Sequence, residues 1–178
     1  MYETDAELDE LQAMLDTSLS RSTEHLRSII KAGERTLSAK QLVQVITGMC
    51  TLALSTVTAT CEPRVSAVDG HFLHGRWIFT TARSAAKARH LIARPAASTA
   101  YLRGEEVGVF THGSAELLNP ADGPDHPQWP AILDHLTKHY GESPMSWGDV
   151  VGFRMRPSWM VAFASDPAQL MAGCDPSA

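Results

Sequence analysis

Five residues within eight positions could together meet an anion: Thr80, Thr81, Arg83, Ser84 and Lys87. They sit in "FTTARSAAKARHLIARP", where a β-type run gives way to a short helical one. Three hydroxyls can donate to phosphate oxygens, and two cations can balance their charge. Ser84 stands where a helix N-cap belongs, and Pro95 forbids continuation at the far end. A helix start presents free N–H groups and partial positive charge, so it attracts anions. Lys87 lies three residues after Ser84, on the same side of the first turn. Cations at a helix start oppose its dipole unless an anion binds there. Ordinary surface charges paired with acids elsewhere are the competing reading of Arg83 and Lys87.

The charge distribution sharpens the question. The chain has 178 residues, 15 Lys+Arg and 20 Asp+Glu, for a net charge of −5. Between Asp69 and Glu105 there is no acid, yet Arg76, Arg83, Lys87, Arg89, Arg94 and Arg103 fall in the gap. The rest of the chain carries 9 − 20 = −11, so the positive charge is local. A net negative chain argues against nucleic acid as a partner, which needs a broadly positive face. Cys50, Cys61 and Cys174 form no CxxC and no disulfide framework, which points to a reducing compartment. The acidic start "MYETDAELDELQAML" has neither the basic nor the apolar region of a signal peptide, and no apolar run is long enough to span a membrane. The expectation is a cytoplasmic protein.

The elements that would position these residues follow from periodicity. Leu8, Leu11, Met14 or Leu15, and Leu19 recur at helical spacing after Thr4 or Asp5. Further helices are expected over 22–32, ending near Gly33, and from a Ser38 cap to Gly48. From Cys50 the pattern becomes β-like: "TLALSTVTA", "EPRVSAVDG" and "HGRWIFTT" are separated by turns at 60–63 and His74-Gly75. A helix at 84–94, a strand at 97–102 and the long strand "EVGVFTHGSAELL" come next. The Pro- and Gly-rich segment 120–130 reads as a loop, and 130–140 as an amphipathic helix. "VVGFRMRP" and "SWMVAFAS" read as two strands about a turn at Pro157-Ser158. Six or seven strands joined mostly by hairpins, interrupted by two helices, predict an antiparallel β-barrel with added helices. No Gly-rich phosphate loop accompanies a βαβ unit.

With that order in hand, the run from Thr51 to Leu118 resembles the pyridoxamine 5′-phosphate oxidase-like split-barrel proteins, which are flavin and deazaflavin oxidoreductases. The resemblance rests on "PRVSAVDG", "WIFTTARSAAKARHL", the following "RP" and strand, "VFTHGSAELL", and the closing "VGFRMRPSWMVAFAS". It covers about residues 45 to 165. It implies a mostly β fold, a six- to seven-stranded antiparallel split barrel (residues 49–166), with an N-terminal helical arm (1–48) and a loose tail (167–178). It implies a homodimer binding FMN at its interface and passing hydride to or from a small molecule. The FMN phosphate would meet Arg64, Thr80, Thr81, Arg83, Ser84 and Lys87, and the flavin ring would lie along Val65, Ser66, Ala67 and Val68. The deazaflavin F420 is the alternative cofactor, and a non-enzymatic flavin- or haem-binding protein the alternative role.

Two departures and several histidines qualify this. Cys61 stands in the first hairpin turn where the family usually has Gly, although the turn favours positive φ. "RMRPSW" matches the oxidase substrate-binding pattern only loosely, so pyridoxamine phosphate is not the expected substrate. His135 and His139 are four apart on a helix, but no acid or Cys at ligand spacing completes a metal site, and none is assigned. His90 or His112 could serve as an axial haem ligand. Asp69 before Gly70 reads as a turn residue. No side chain is assigned a catalytic role, because hydride chemistry would belong to the cofactor.

Overall fold

The computed structural model describes residues 2–173. Six antiparallel strands close into a barrel in the order β1-β2-β3-β6-β5-β4. They are β1 (Met49–Val57), β2 (Pro63–Leu73), β3 (Arg76–Ala82), β4 (Ala96–Arg103), β5 (Val107–Leu117) and β6 (Val150–Ala164). The alternation read from the sequence faces the barrel interior at Leu52, Leu54, Val68, Trp77, Phe79, Val109 and Phe153, all buried. Phe79 and Phe153 stack across the β3–β6 pair with centroids 5.6 Å apart. Gly70 lies inside this wall: a Cβ there would stand 2.4 Å from Leu52 Cδ1.

The helical arm shares the barrel's core. Helix α1 (Asp5–Ser20) opens with a capping box, in which the Thr4 hydroxyl accepts from Glu7 N and the Glu7 carboxylate from Thr4 N. Its Leu8, Leu11 and Leu15 join the same cluster of buried residues as Leu52 and Phe79. Ser18 ties the helix to β6, its hydroxyl accepting from Met160 N at 2.9 Å. Helices α2 (Glu24–Ile29) and α3 (Ala39–Val45) follow, and α3 starts at the expected Ser38 cap.

Three local expectations are corrected. The closing pair of strands is one continuous strand, β6, because Pro157-Ser158 makes a bulge rather than a turn. His112 pairs with Trp159 and Gly113 with Pro157, leaving Ser158 as the extra residue. β3 pairs with β6 only as far as Arg154, so Pro157 falls beyond that ladder, where a missing N–H is tolerated. Asp69 and Gly70 lie within β2, not at a turn. The segment expected to be loose from residue 167 contains helix α6 (Pro167–Ala172), capped by Asp166, whose carboxylate accepts from Gln169 N at 2.9 Å. Residues 174–178 of that expected tail, Cys174 among them, lie outside the described residues.

Candidate cofactor site

The barrel is split beside β2. This strand pairs with β1 from Pro63 to His71. It pairs with β3 only from Gly70 to Leu73. Beyond Phe79, β3 turns away to pair with β6 through Ala82. Residues 63–69 of β2 therefore have a strand on one side only. Alternate residues of an antiparallel strand direct both N–H and C=O to the same side. Ala67, and by alternation Val65, point these groups away from β1 toward the gap.

Helix α4 (Ala86–Ala93) lies at this gap. Its inner face buries Ala88 and Leu91 in the barrel core. Two contacts fix it to β1: Thr56 Oγ1 meets His90 Nδ1 at 3.0 Å, and Arg94 Nε donates to Val57 O at 3.1 Å. Across the gap, Lys87 Nζ donates to Ala67 O at 2.7 Å. The helix start has no side-chain cap and no acid in its first turn. Its opening N–H groups thus have no side-chain acceptor, and the cations Lys87 and Arg89 lie beside it, Arg89 bonded to Ser84 O. An anion is the group such an end lacks.

The structure sorts the expected residues. Lys87 meets the strand Val65–Val68 at Ala67 O. Ser84 does not cap α4: Ala85 is the cap residue, because the chain first makes a tight turn in which Ala85 N donates to Ala82 O at 2.9 Å. The Ser84 carbonyl accepts from the Arg89 guanidinium. Arg83 is engaged elsewhere. Its Nε donates to Asp149 Oδ1 at 3.0 Å and its Nη2 to Asn119 O at 3.0 Å, which fastens the end of β3 to the segments before and after α5 (Trp129–Tyr140). Arg64 is exposed and pairs with Glu62 at 2.8 Å. Thr80 and Thr81 are half-buried neighbours on β3, so their side chains leave opposite faces. Of the cations near the gap, Lys87 is the one that bridges it. Cys61 does adopt positive φ, at 61°, so the turn keeps its glycine-like geometry with a cysteine in place.

Among the described residues, no helix covers one broad face of the barrel. Val65, Leu102 and Met49 stand on the outer side of β2, β4 and β1, with 72%, 61% and 41% of their surfaces exposed. Between them lie small residues, with Ala53 paired to both Ala67 and Ala100, and the exposed Asp69 opposite Thr51. The outer side of β2 at its other end is covered instead by α5, whose Trp129, Ile132 and Leu136 bury Leu73, Ile78 and Leu118. Which sheet face α5 would choose was not legible from its residues.

Sequence comparison identifies no kin: no family profile and no curated protein matches the chain. Solved structures do match. A conserved hypothetical protein of Mycobacterium tuberculosis, Rv2991, superposes with a TM-score of 0.56 at 16% identity, over 77% of this chain and 91% of its own. HutZ, a haem storage protein of Vibrio cholerae, gives 0.54 at 19% identity, over 64% and 85%. An F420 reductase gives 0.51 at 20% identity, over 65% and 92%. The chain therefore has the split-barrel fold that the sequence resemblance implied. At these identities the likeness concerns the fold, and function must be argued from the site.

Proposed function

We propose that the protein is a flavin- or deazaflavin-dependent oxidoreductase acting on a small molecule, with its cofactor held between β2 and the start of α4. One observation carries the reading: Lys87 reaches across the split to Ala67 O, beside an uncapped helix start. The residues suit such a cofactor. Its phosphate would meet the first N–H groups of α4 and Lys87, a charge-assisted set. Its flat ring would lie along the one-sided stretch of β2, where Val65 and Ala67 offer backbone donors and acceptors to a heterocycle edge. When bound, the cofactor supplies hydride transfer; the protein's part is to hold it, orient it and exclude water. A negative chain with one local positive segment would concentrate an anionic cofactor there. FMN is the first candidate and F420 the second, since both join a phosphate to a tricyclic ring.

A homodimer belongs to this reading. The uncovered face of β1, β2 and β4 carries exposed Met49, Val65 and Leu102 and includes the outer side of the cofactor strand. A second copy would cover this apolar surface and close the ring site from outside. The absorption spectrum of the purified protein tests the cofactor directly. Flavin bands, or uptake of F420 on titration, support the reading. A Soret band, the property expected from the names of HutZ and a Mycobacterium smegmatis haem-binding protein that also matches by structure, would replace it with a haem-handling role.

A further inference from the structure

A second cluster lies at the other end of β2. Phe72 is five residues beyond Ala67, about 16 Å along the strand at ~3.3 Å per residue. Here α3, α5 and the β2–β3 turn enclose a groove of about 590 Å³, the size of a small-molecule site. Val43, Ile46, Phe72, Leu73 and Ile132 give it apolar sides, and His135, Lys138 and His139 line its rim.

A chain of hydrogen bonds runs from the rim into the protein. Tyr2 Oη meets His135 Nδ1 at 3.1 Å. His135 Nε2 meets His71 Nδ1 at 3.2 Å. His71 Nε2 meets Tyr140 Oη at 3.1 Å. With both imidazoles neutral, every link is satisfied when all protons point toward Tyr2, and equally when all point toward Tyr140. One added proton is also accommodated, because both phenol oxygens can then accept. The chain can thus take up a proton at the rim and share it with a buried histidine.

Two other charged groups nearby are paired, while Glu3 meets only backbone N–H groups. Lys138 Nζ pairs with Asp134 Oδ2 at 2.7 Å, and His74 Nδ1 with Glu7 Oε1 at 3.1 Å. Glu3 accepts from Gly75 N at 3.4 Å. Burial first, and then the charge of Asp69 on β2, raise the Tyr140 phenol above its ordinary value, so it stays protonated. This leaves His135 and His139, one turn apart near the C-terminal end of α5, where the helix dipole favours cations. Burial holds His71 neutral, and His135 and His139 add to the effect; burial and His139 likewise hold His135 below its ordinary value. The chain is therefore discharged near neutral pH and lacks the anion that would charge it.

We propose that this groove binds a small amphipathic carboxylate, its apolar body against Phe72 and Ile132 and its carboxylate at His135 and His139, and that binding draws one proton from solvent onto the histidine chain. The site is separate from the cofactor gap, and neither reading needs the other.

Calorimetric titration of the full chain with benzoate tests it, run at pH 7.5 and 6.0 in two buffers of different ionisation enthalpy. The expected result is affinity at least about fivefold tighter at pH 6.0, with net uptake of a proton, as linkage to a histidine requires. Benzyl alcohol, the neutral analogue, binds more weakly and without proton uptake. His135→Gln abolishes the uptake while leaving the melting temperature at pH 7.5 unchanged; His139→Gln, more exposed, weakens benzoate binding in the same direction. Absence of benzoate binding, binding independent of pH, equal binding of benzyl alcohol, or undiminished proton uptake in both variants overturns the proposal.

Discussion

Lys87 Nζ lies 2.7 Å from the carbonyl oxygen of Ala67, joining the first turn of α4 to the one-sided edge of β2. The lysine is drawn toward a backbone dipole rather than a carboxylate, so its charge stays available to an anion at the helix start. Lys87→Ala is expected to weaken FMN or F420 binding by ~1–3 kcal/mol, the range for a hydrogen bond involving a charged group. Fluorescence titration of both cofactors against wild type and variant measures this.

Arg83 gives the opposite expectation. Its guanidinium is committed to Asp149 and Asn119 O, with 20% of the side chain exposed. Arg83→Ala should lower folding stability by about 1–2 kcal/mol while changing cofactor affinity by less than twofold. Partial exposure of the pair keeps this figure modest. Urea unfolding and the same titration separate the two effects, and a large loss of affinity without loss of stability would return Arg83 to the site.

The contrast between these two cations shows what the sequence carries and what it does not. Both lie beside the same predicted helix, and their types alone cannot tell them apart. Strand existence was legible, because alternation in "TLALSTVTA" or "WIFTT" is a local property. The gap beside β2 was not, since it depends on where β3 leaves one neighbour for another, sixty or more residues away in β6. Ser84 misled because a serine near a helix start suggests a cap, whereas main-chain bonding at Ala82–Ala85 decided the geometry. Pro157 misled in the same way, since a proline can sit in a bulge as well as in a turn. The first hairpin turn around Cys61 was legible; the positive φ there, at a residue other than glycine, was not. The contact between His71 and His135 was not, as their 64-residue separation leaves no periodic trace.

Stability should fall in acid through His71. Burial first, then neighbouring His135 and His139, bring its pKa from 6.5 down to about 4. The folded state thus binds fewer protons than the unfolded chain between these values. Its contribution is complete above about pH 6.5 and is lost as pH falls toward 4, by up to about 3 kcal/mol. Urea midpoints of wild type and His71→Gln at pH 7.5 and 4.5 isolate it: the wild type should lose more stability than the variant. Equal losses would mean that His71 is not held neutral.

Gly113 marks the β5–β6 bulge. A Cβ there would stand 2.1 Å from Arg156 O, a backbone atom that cannot move aside without breaking the register. Gly113→Ala should cost ~3 kcal/mol or more, at the upper end for overpacking. Thermal unfolding measures it, and a near-neutral result would mean that the bulge adapts.

The uncovered face predicts assembly. Val65→Glu or Leu102→Glu places a charge on the surface proposed to bury itself in a second copy. Sedimentation should show a dimer for the wild type and monomer for the variants, with cofactor binding weakened alongside. A wild-type monomer at all concentrations would remove the dimer from the account.

The most direct test is a crystal structure of the protein grown with FMN and, separately, with F420. The cofactor phosphate should lie on the opening N–H groups of α4 beside Lys87, and the ring along Val65 to Val68. A phosphate bound anywhere else, or a gap that stays empty at saturating concentrations of both cofactors, would contradict the proposed site.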